Sequence, residues 1–224
     1  MYNEDGKTVE LTSIQSITFL LAGLLLNAIG NGLTVATNMG SAPWTAAAAN
    51  LANVTNLPID IFLFGFGFIA AVAVIFILHD FDAGRFFRNL AFVFIFSVVI
   101  GATAAGFKYM GIGHLHYWPR LILDIVGITM IGMGISITQR LAKFLHPLDD
   151  LTNVTRFKYF HGNVVVAQTI NFAVPMTISL LIWLFTHKLV AINIGTLFSF
   201  FCQGFVISRA DKWLIPHLVH RKEL

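Results

Sequence analysis

The chain has 224 residues, of which 57% are hydrophobic and 11% charged, and its mean hydropathy is +0.78. A soluble domain carries roughly 45–50% apolar and about 25% charged residues, so the composition excludes a soluble globular fold and points to helices embedded in lipid. Lys and Arg number 14 against 11 Asp and Glu, but the basic residues lie in the connections between apolar runs, which is a mark of membrane topology and not of nucleic-acid binding.

Residues 1–16 read as a mildly acidic tail, and the apolar run after them is too long for a cleavable signal. The first span is predicted at 17–36. It carries Asn27, Asn31 and Thr34, with Asn38 at its end, spaced to form one polar stripe on a helix. Such a stripe faces protein or water, and serves either helix–helix hydrogen bonding or a substrate path. Then Gly40-Ser41-Ala42-Pro43-Trp44-Thr45 ends the helix and starts a short one over 43–53. Gly40 permits a sharp turn, Ser41 can cap, and Pro43 suits a first helical turn. This half-helix either lies on the outer surface or dips in as a re-entrant element with its positive end near a substrate.

The second span is predicted at 61–78, opened by Asp60 as a cap, and the third at 90–107. The fourth, at 121–137, contains Asp124, one turn after Arg120. The two read either as an ion pair near the outer surface or with Asp124 as a proton-coupling carboxylate. His146-Pro147-Leu148-Asp149-Asp150 follows as the counterpart of the first break. Its Asp149 and Asp150 either cap a short helix or form a carboxylate pair for a cation or protons. The fifth span, at 164–185, is broken by Pro175 and carries Gln168 and Asn171 one turn apart. The sixth, at 189–207, adds Asn193, Ser199 and Gln203.

Each span suits a helix crossing a hydrocarbon core of roughly 30 Å. Six crossings put Lys7, Arg85, Arg88, Arg140, Lys143, Arg156, Lys158, Arg209, Lys212, Arg221 and Lys222 on the side of both termini, and Lys108, Arg120 and Lys188 on the other. By the positive-inside rule both termini are cytoplasmic. Gly30-Asn31-Gly32-Leu33-Thr34 matches Gly132-Met133-Gly134-Ile135-Ser136, and Leu51-Ala52-Asn53-Val54-Thr55 matches Leu151-Thr152-Asn153-Val154-Thr155. Asn89-Leu90-Ala91-Phe92 falls where Thr196-Leu197-Phe198-Ser199 lies in the second half. The predicted fold is therefore all-α: one membrane domain of six helices in two three-helix repeats, about 17–110 and 118–208, with tails at 1–16 and 209–224. A half-helix follows the first and fourth spans. Three crossings per copy make the second copy enter inverted, as in many secondary transporters.

A glycine-rich first helix followed by Gly40-Ser41-Ala42-Pro43-Trp44 resembles the YczE-like branch of the YczE/YyaS/YitT group of bacterial integral membrane proteins. Pro147 followed by Asp149, and the Gly195-Thr196-Leu197 opening of the last helix, are similar too. Thr45 stands where that family often has Asp. The resemblance covers about residues 17–208 and implies a multi-span protein of a bacterial cell membrane, with no substrate named.

The function read from these features is a secondary transporter of a small polar solute. Substrate-lining candidates are Asn27, Asn31, Thr34, Asn38, Gly40, Pro43, Trp44, Gln168 and Asn171, and Asp124, Asp149 and Asp150 are candidates for ion or proton coupling. The alternative is a non-transporting membrane partner of an enzyme or exporter. No Walker motif or nucleophile–base constellation is present, so neither direct ATP use nor an enzyme is expected. No Cys/His cluster has zinc spacing, and neither a metal nor a cofactor is expected. Cys202, the one cysteine, reads as a small packing residue. The expected partners are the lipid bilayer and a small polar solute, with no nucleic acid; a homo-oligomer is compatible with the size.

Overall fold

A computed structural model describes all residues except 5–6, 143 and 221–224. Lys143, Arg221 and Lys222 of the basic set therefore lie outside the described residues. The rest contain eight α-helices: α1 Ser13–Thr37, α2 Pro43–Thr55, α3 Ile59–Leu78, α4 Ala83–Tyr109, α5 Tyr117–Leu141, α6 Pro147–Lys158, α7 Val164–Thr186 and α8 Ile194–Trp213. Five of them, α1, α3, α4, α5 and α7, are long and apolar enough to cross a membrane. α8 is 20 residues long, but Gln203, Arg209, Asp211 and Lys212 make it less apolar. Large side chains such as Phe64, Phe76, Phe87 and Phe94 point outward unburied, which lipid tolerates and water does not. The architecture is that of a membrane-embedded helical bundle.

Several local expectations are corrected. α4 starts well before residue 90, because Asp82 caps it by accepting the Arg85 N–H at 2.9 Å. α8 starts at Ile194, not 189, with Asn193 as its cap. Asp60 is not a cap: Pro58 holds that position and Asp60 lies in the first turn of α3. Pro175 does not break α7, which runs unbroken from Val164 to Thr186. The proline only withholds the N–H that would reach the Asn171 carbonyl, and neighbouring helices support the rest of the ladder. The N-terminal tail forms an unexpected hairpin of β1 Tyr2–Glu4 and β2 Lys7–Val9. Tyr2 bridges to Leu218, and the Val219 N–H donates to the Met1 carbonyl at 3.0 Å, so the two ends of the chain are joined.

The centre is an antiparallel contact between α1 and α5 built on glycine. A Cβ at Gly30 would lie 2.6 Å from the Gly127 carbonyl, and one at Gly134 would lie 2.6 Å from the Gly23 carbonyl. Backbones this close leave no room for a side chain. α4 packs on α1 and α8 packs on α5, while the short helices pack crosswise, α2 against α7 and α3, α6 against α3 and α7.

α1 and α5 have 25 residues each and end in left-handed caps, Asn38 and Ala142; each is followed by a short helix with proline in its first turn, Pro43 and Pro147. Counted from the start of each helix, Gly30 and Gly134 hold the same position, and Leu51–Thr55 of α2 falls one helical turn from Leu151–Thr155 of α6.

Candidate functional site

The break after α1 is held by the start of α8. Asn38 closes α1 in the left-handed region and is exposed. Gly40 has φ 138°, and a Cβ there would lie 2.5 Å from the Thr196 nitrogen, so angle and space both demand glycine. The Gly195 N–H donates to the Met39 carbonyl at 2.9 Å, and the Ser41 N–H to Thr196 Oγ1 at 3.1 Å. Asp124 lies beside this junction, fully buried. Its Oδ1 is 2.7 Å from Thr37 Oγ1, while Oδ2 lies against Gly195 without a hydrogen-bond partner. The expected ion pair with Arg120 is not formed. Arg120 Nη1 donates to the Thr37 carbonyl at 3.4 Å, and its Nε is buried without a partner. Helical spacing brought the two side chains to one face, but the end of α1 takes the guanidinium.

α2 does not lie on a surface. Pro43, Ala46, Ala47, Ala48 and Asn50 are buried, and only its last turn is exposed. Ser41 does not cap it; Ala42 is the N-cap, without a side-chain hydrogen bond. Trp44 Nε1 donates to Asn171 Oδ1 at 2.5 Å, and the indole packs edge-on against Phe66 with ring centroids 4.9 Å apart. Asn171 Nδ2 in turn donates to Thr152 Oγ1 at 2.6 Å and reaches the Leu148 carbonyl at 3.3 Å. One amide on α7 thus bridges the first turn of α2 and the first half of α6, at the residue whose carbonyl Pro175 leaves without its helical donor. Further along, Asn50 Nδ2 donates to Ser179 Oγ at 3.3 Å and Asn50 Oδ1 accepts the Val190 N–H at 2.9 Å.

The break after α5 is held by α4 in the same manner. The Leu145 N–H donates to Asn89 Oδ1 at 3.4 Å, and Asn89 Nδ2 donates to Asp150 Oδ2 at 2.6 Å. Arg85 donates to both Asp150 oxygens, Nε to Oδ2 at 2.8 Å and Nη2 to Oδ1 at 2.6 Å. Asp150 is therefore saturated and is not half of a free carboxylate pair. Burial, reinforced by Asp150, pushes the Asp149 carboxyl up to about 7. Neither acid caps α6: His146 does, its Nδ1 accepting the Leu148 N–H at 3.3 Å. A cavity of about 440 Å³ opens between α3 and α4, with Asp80, Asp82, Arg85, Arg88, Asn89 and Asp150 on its polar wall.

Two members of the polar stripe of α1 lie in the contact with α5. Asn27 and Thr34 are buried where α1 meets Gly134 and Gly127 of α5, and Asn31 Nδ2 donates back to Asn27 Oδ1 at 2.8 Å. Gln168 is buried against α8 at Gly204, its Oε1 unpartnered. Of the expected lining residues, the structure brings Gly40, Pro43, Trp44 and Asn171 to the breaks and leaves Asn27, Asn31, Thr34 and Gln168 in helix contacts. The sequence does not single out Thr37, Arg85, Thr152 or Thr196 as site residues. Thr152 and Thr196 leave a trace, in the sequence matches that set them against Ala52 and Asn89.

A second polar cluster closes the end where the termini meet. Asp211 Oδ2 accepts from Arg156 Nη2 at 2.8 Å and from His220 Nε2 at 3.3 Å, and Oδ1 accepts from Ser136 Oγ at 2.7 Å. Fully buried Arg140 donates to the carbonyls of Ile215 at 2.8 Å and Leu218 at 3.1 Å, just past the end of α8. Burial pulls the His220 imidazole below its usual 6.5.

Among the described residues no three His, Cys, Asp or Glu side chains are placed to hold a metal ion. No curated protein and no solved structure matches the chain. Residues 14–212 match a family profile, and the chain belongs to that family, DUF6198, a family of unknown function.

Proposed function

We propose that the protein is a secondary transporter of a small polar solute in a bacterial cell membrane. In this reading α1, α3, α4, α5, α7 and α8 cross the membrane six times as two inverted repeats, α1–α4 and α5–α8, with both termini in the cytoplasm. The observation that carries it is the bridge between the two short helices, in which Asn171 of α7 joins Trp44 in the first turn of α2 to Leu148 and Thr152 in the first half of α6. Half-helices entering from opposite sides with their positive ends at a shared midpoint are how many transporters present a site to a polar substrate. The crosswise packing of α2 on α7 and α6 on α3 supports the inverted repeat. The hydrogen bond joining the chain ends supports an even number of crossings.

The two junctions differ. Met39–Ser41 are sealed onto Gly195 and Thr196, while the other break borders the 440 Å³ cavity. A transporter at rest with its outer junction closed and a polar vestibule on the cytoplasmic side has this form. Two of the segments that carry the YczE-like resemblance, Gly40–Trp44 and Gly195–Leu197, meet at the outer junction, which supports placing the chain in that branch.

The test begins with a thermal-shift screen of the purified protein against small polar metabolites. A ligand at a hundredfold over its dissociation constant stabilises by about 2.7 kcal/mol. Flux of each hit into proteoliposomes, lost in Asn171→Ala, is the expected result. Hits that bind but never cross the bilayer would sink the transporter reading, and a stoichiometric membrane partner in the same preparation would then favour a non-transporting role.

A further inference from the structure

Thr37 has one hydroxyl hydrogen and two oxygens within its reach, the Thr34 carbonyl at 2.8 Å and Asp124 Oδ1 at 2.7 Å. A carbonyl can only accept, and an ionised carboxylate can only accept, so one hydrogen cannot serve both. A proton on Asp124 Oδ1 removes the conflict. Asp124 then donates to Thr37 Oγ1, which passes its own hydrogen to Thr34.

The surroundings agree with a neutral acid. Asp124 is fully buried, and no cationic nitrogen of the described residues lies within 4.0 Å of it. Arg120, on its own helix, is turned to the Thr37 carbonyl. α1 carries no charged residue from Ser13 to Thr37, and the charges of α8 (Arg209, Asp211 and Lys212) lie at its far end. The acids of α6, Asp149 and Asp150, belong to the other break, and His114, in the turn over the end of α1, is exposed. The start of α8 offers nothing to Oδ2. The Ile194 N–H goes to Asn193 Oδ1 at 2.7 Å and the Gly195 N–H to Met39. An unpaired carboxylate in such a place is expensive, whereas a carboxylic acid is tolerated.

We propose that Asp124 is a proton-binding site and that its proton keeps the outer junction closed; this rests on the transporter reading and names the coupling ion as H⁺. When the O–H bond of Asp124 breaks and the proton leaves to water, the carboxylate formed beside Gly195 competes with the Met39 carbonyl for the Gly195 N–H. The one backbone bond that ties the break to α8 is then drawn away, and Met39–Ser41 separate from Thr196.

Two measurements on the full chain test this. The first is the infrared carbonyl band of protonated carboxyl groups near neutral pH, recorded for the wild type and Asp124→Asn. The expected difference spectrum holds one such band, present only in the wild type, and Thr37→Val moves it by removing its hydrogen-bond partner. Absence of the band overturns the proposal. The second uses Ser41→Cys in a Cys202→Ser background, in proteoliposomes, labelled from outside with an impermeant thiol reagent. Labelling, normalised to the same protein unfolded, should rise several-fold between about pH 6 and about pH 9, and stay low and flat once Asp124→Asn is added. Labelling that ignores pH, or the same rise with Asn in place, sinks the coupling. A carboxyl band in a protein that moves no solute would overturn transport alone. Solute flux indifferent to a pH gradient would overturn coupling alone.

Discussion

Asn89 and Thr196, on α4 and α8, each accept a backbone N–H from the break in the opposite half of the chain, from Leu145 and Ser41 respectively. Asn89 also donates to buried Asp150, so its loss leaves both a backbone donor and a carboxylate short of a partner. Asn89→Ala is expected to cost about 1–3 kcal/mol, and Thr196→Val, which keeps the shape, about 1 kcal/mol. Unfolding in mixed micelles measures both, and a larger loss for Thr196→Val would contradict the assignment.

The glycine contact between α1 and α5 separates glycines that fill space from those that do not. A methyl at Gly134 or Gly30 meets backbone of the facing helix under 3.0 Å, whereas one at Gly65 or Gly101 meets nothing within 4 Å. Gly134→Ala should destabilise the bundle by about 1–3 kcal/mol or more. Gly65→Ala and Gly101→Ala should leave it within about 0.5 kcal/mol of wild type. Four melting curves decide it.

Asp211 is the shared acceptor for Arg156, Ser136 and His220, with Arg140 Nε 3.8 Å away. Neutralising it leaves two buried guanidinium groups without their counter-charge. Asp211→Asn is expected to cost about 3–5 kcal/mol. Asp82→Asn, which keeps an amide oxygen to cap α4 at the Arg85 N–H and loosens an exposed pair to Arg88 at 3.6 Å, should cost less than about 1 kcal/mol. Comparable losses in the two variants would show that the cluster at Asp211 is worth no more than a surface pair.

His220 gives the clasp between the chain ends a pH dependence. Its folded affinity for a proton is depressed by burial below the usual 6.5, so the unfolded tail binds the proton more readily. The stability it contributes is therefore fully present above about pH 6.5 and is lost as pH falls from there through the folded value. Hydrogen-exchange protection at 215–220, taken relative to the unfolded chain at each pH, should fall over that range in the wild type and much less in His220→Asn.

Helix content and the two breaks were legible because their signals are local. Apolar runs announce spans, and Gly40, Pro43 and Pro147 announce the interruptions within a few residues of where they act. Partner choice was not legible. Arg120 and Asp124 are spaced to pair on one helix, yet the carbonyl at the end of α1 captures the arginine. Asp150 finds Arg85, 65 residues away in sequence, a separation that leaves no pattern. Of the stripe expected from Asn27, Asn31, Thr34 and Asn38, the first three lie within α1 and Asn38 is its exposed left-handed cap, and nothing in α1 alone says whether the stripe meets a cavity or another helix. The glycines of α5 decide that, and only the fold puts them opposite.

α8 closes the molecule at both ends: its start seals the break after α1, and its end is capped by Arg140. A chain is made from its N-terminus, so Met39–Ser41 and Arg140 leave the ribosome before the residues that satisfy them. Until α8 is in place, the turn at Gly40 lacks its partners and a buried arginine lacks its carbonyls. A nascent chain stopped before residue 194 thus lacks partners at two separate places, and the arrival of its last helix supplies both at once.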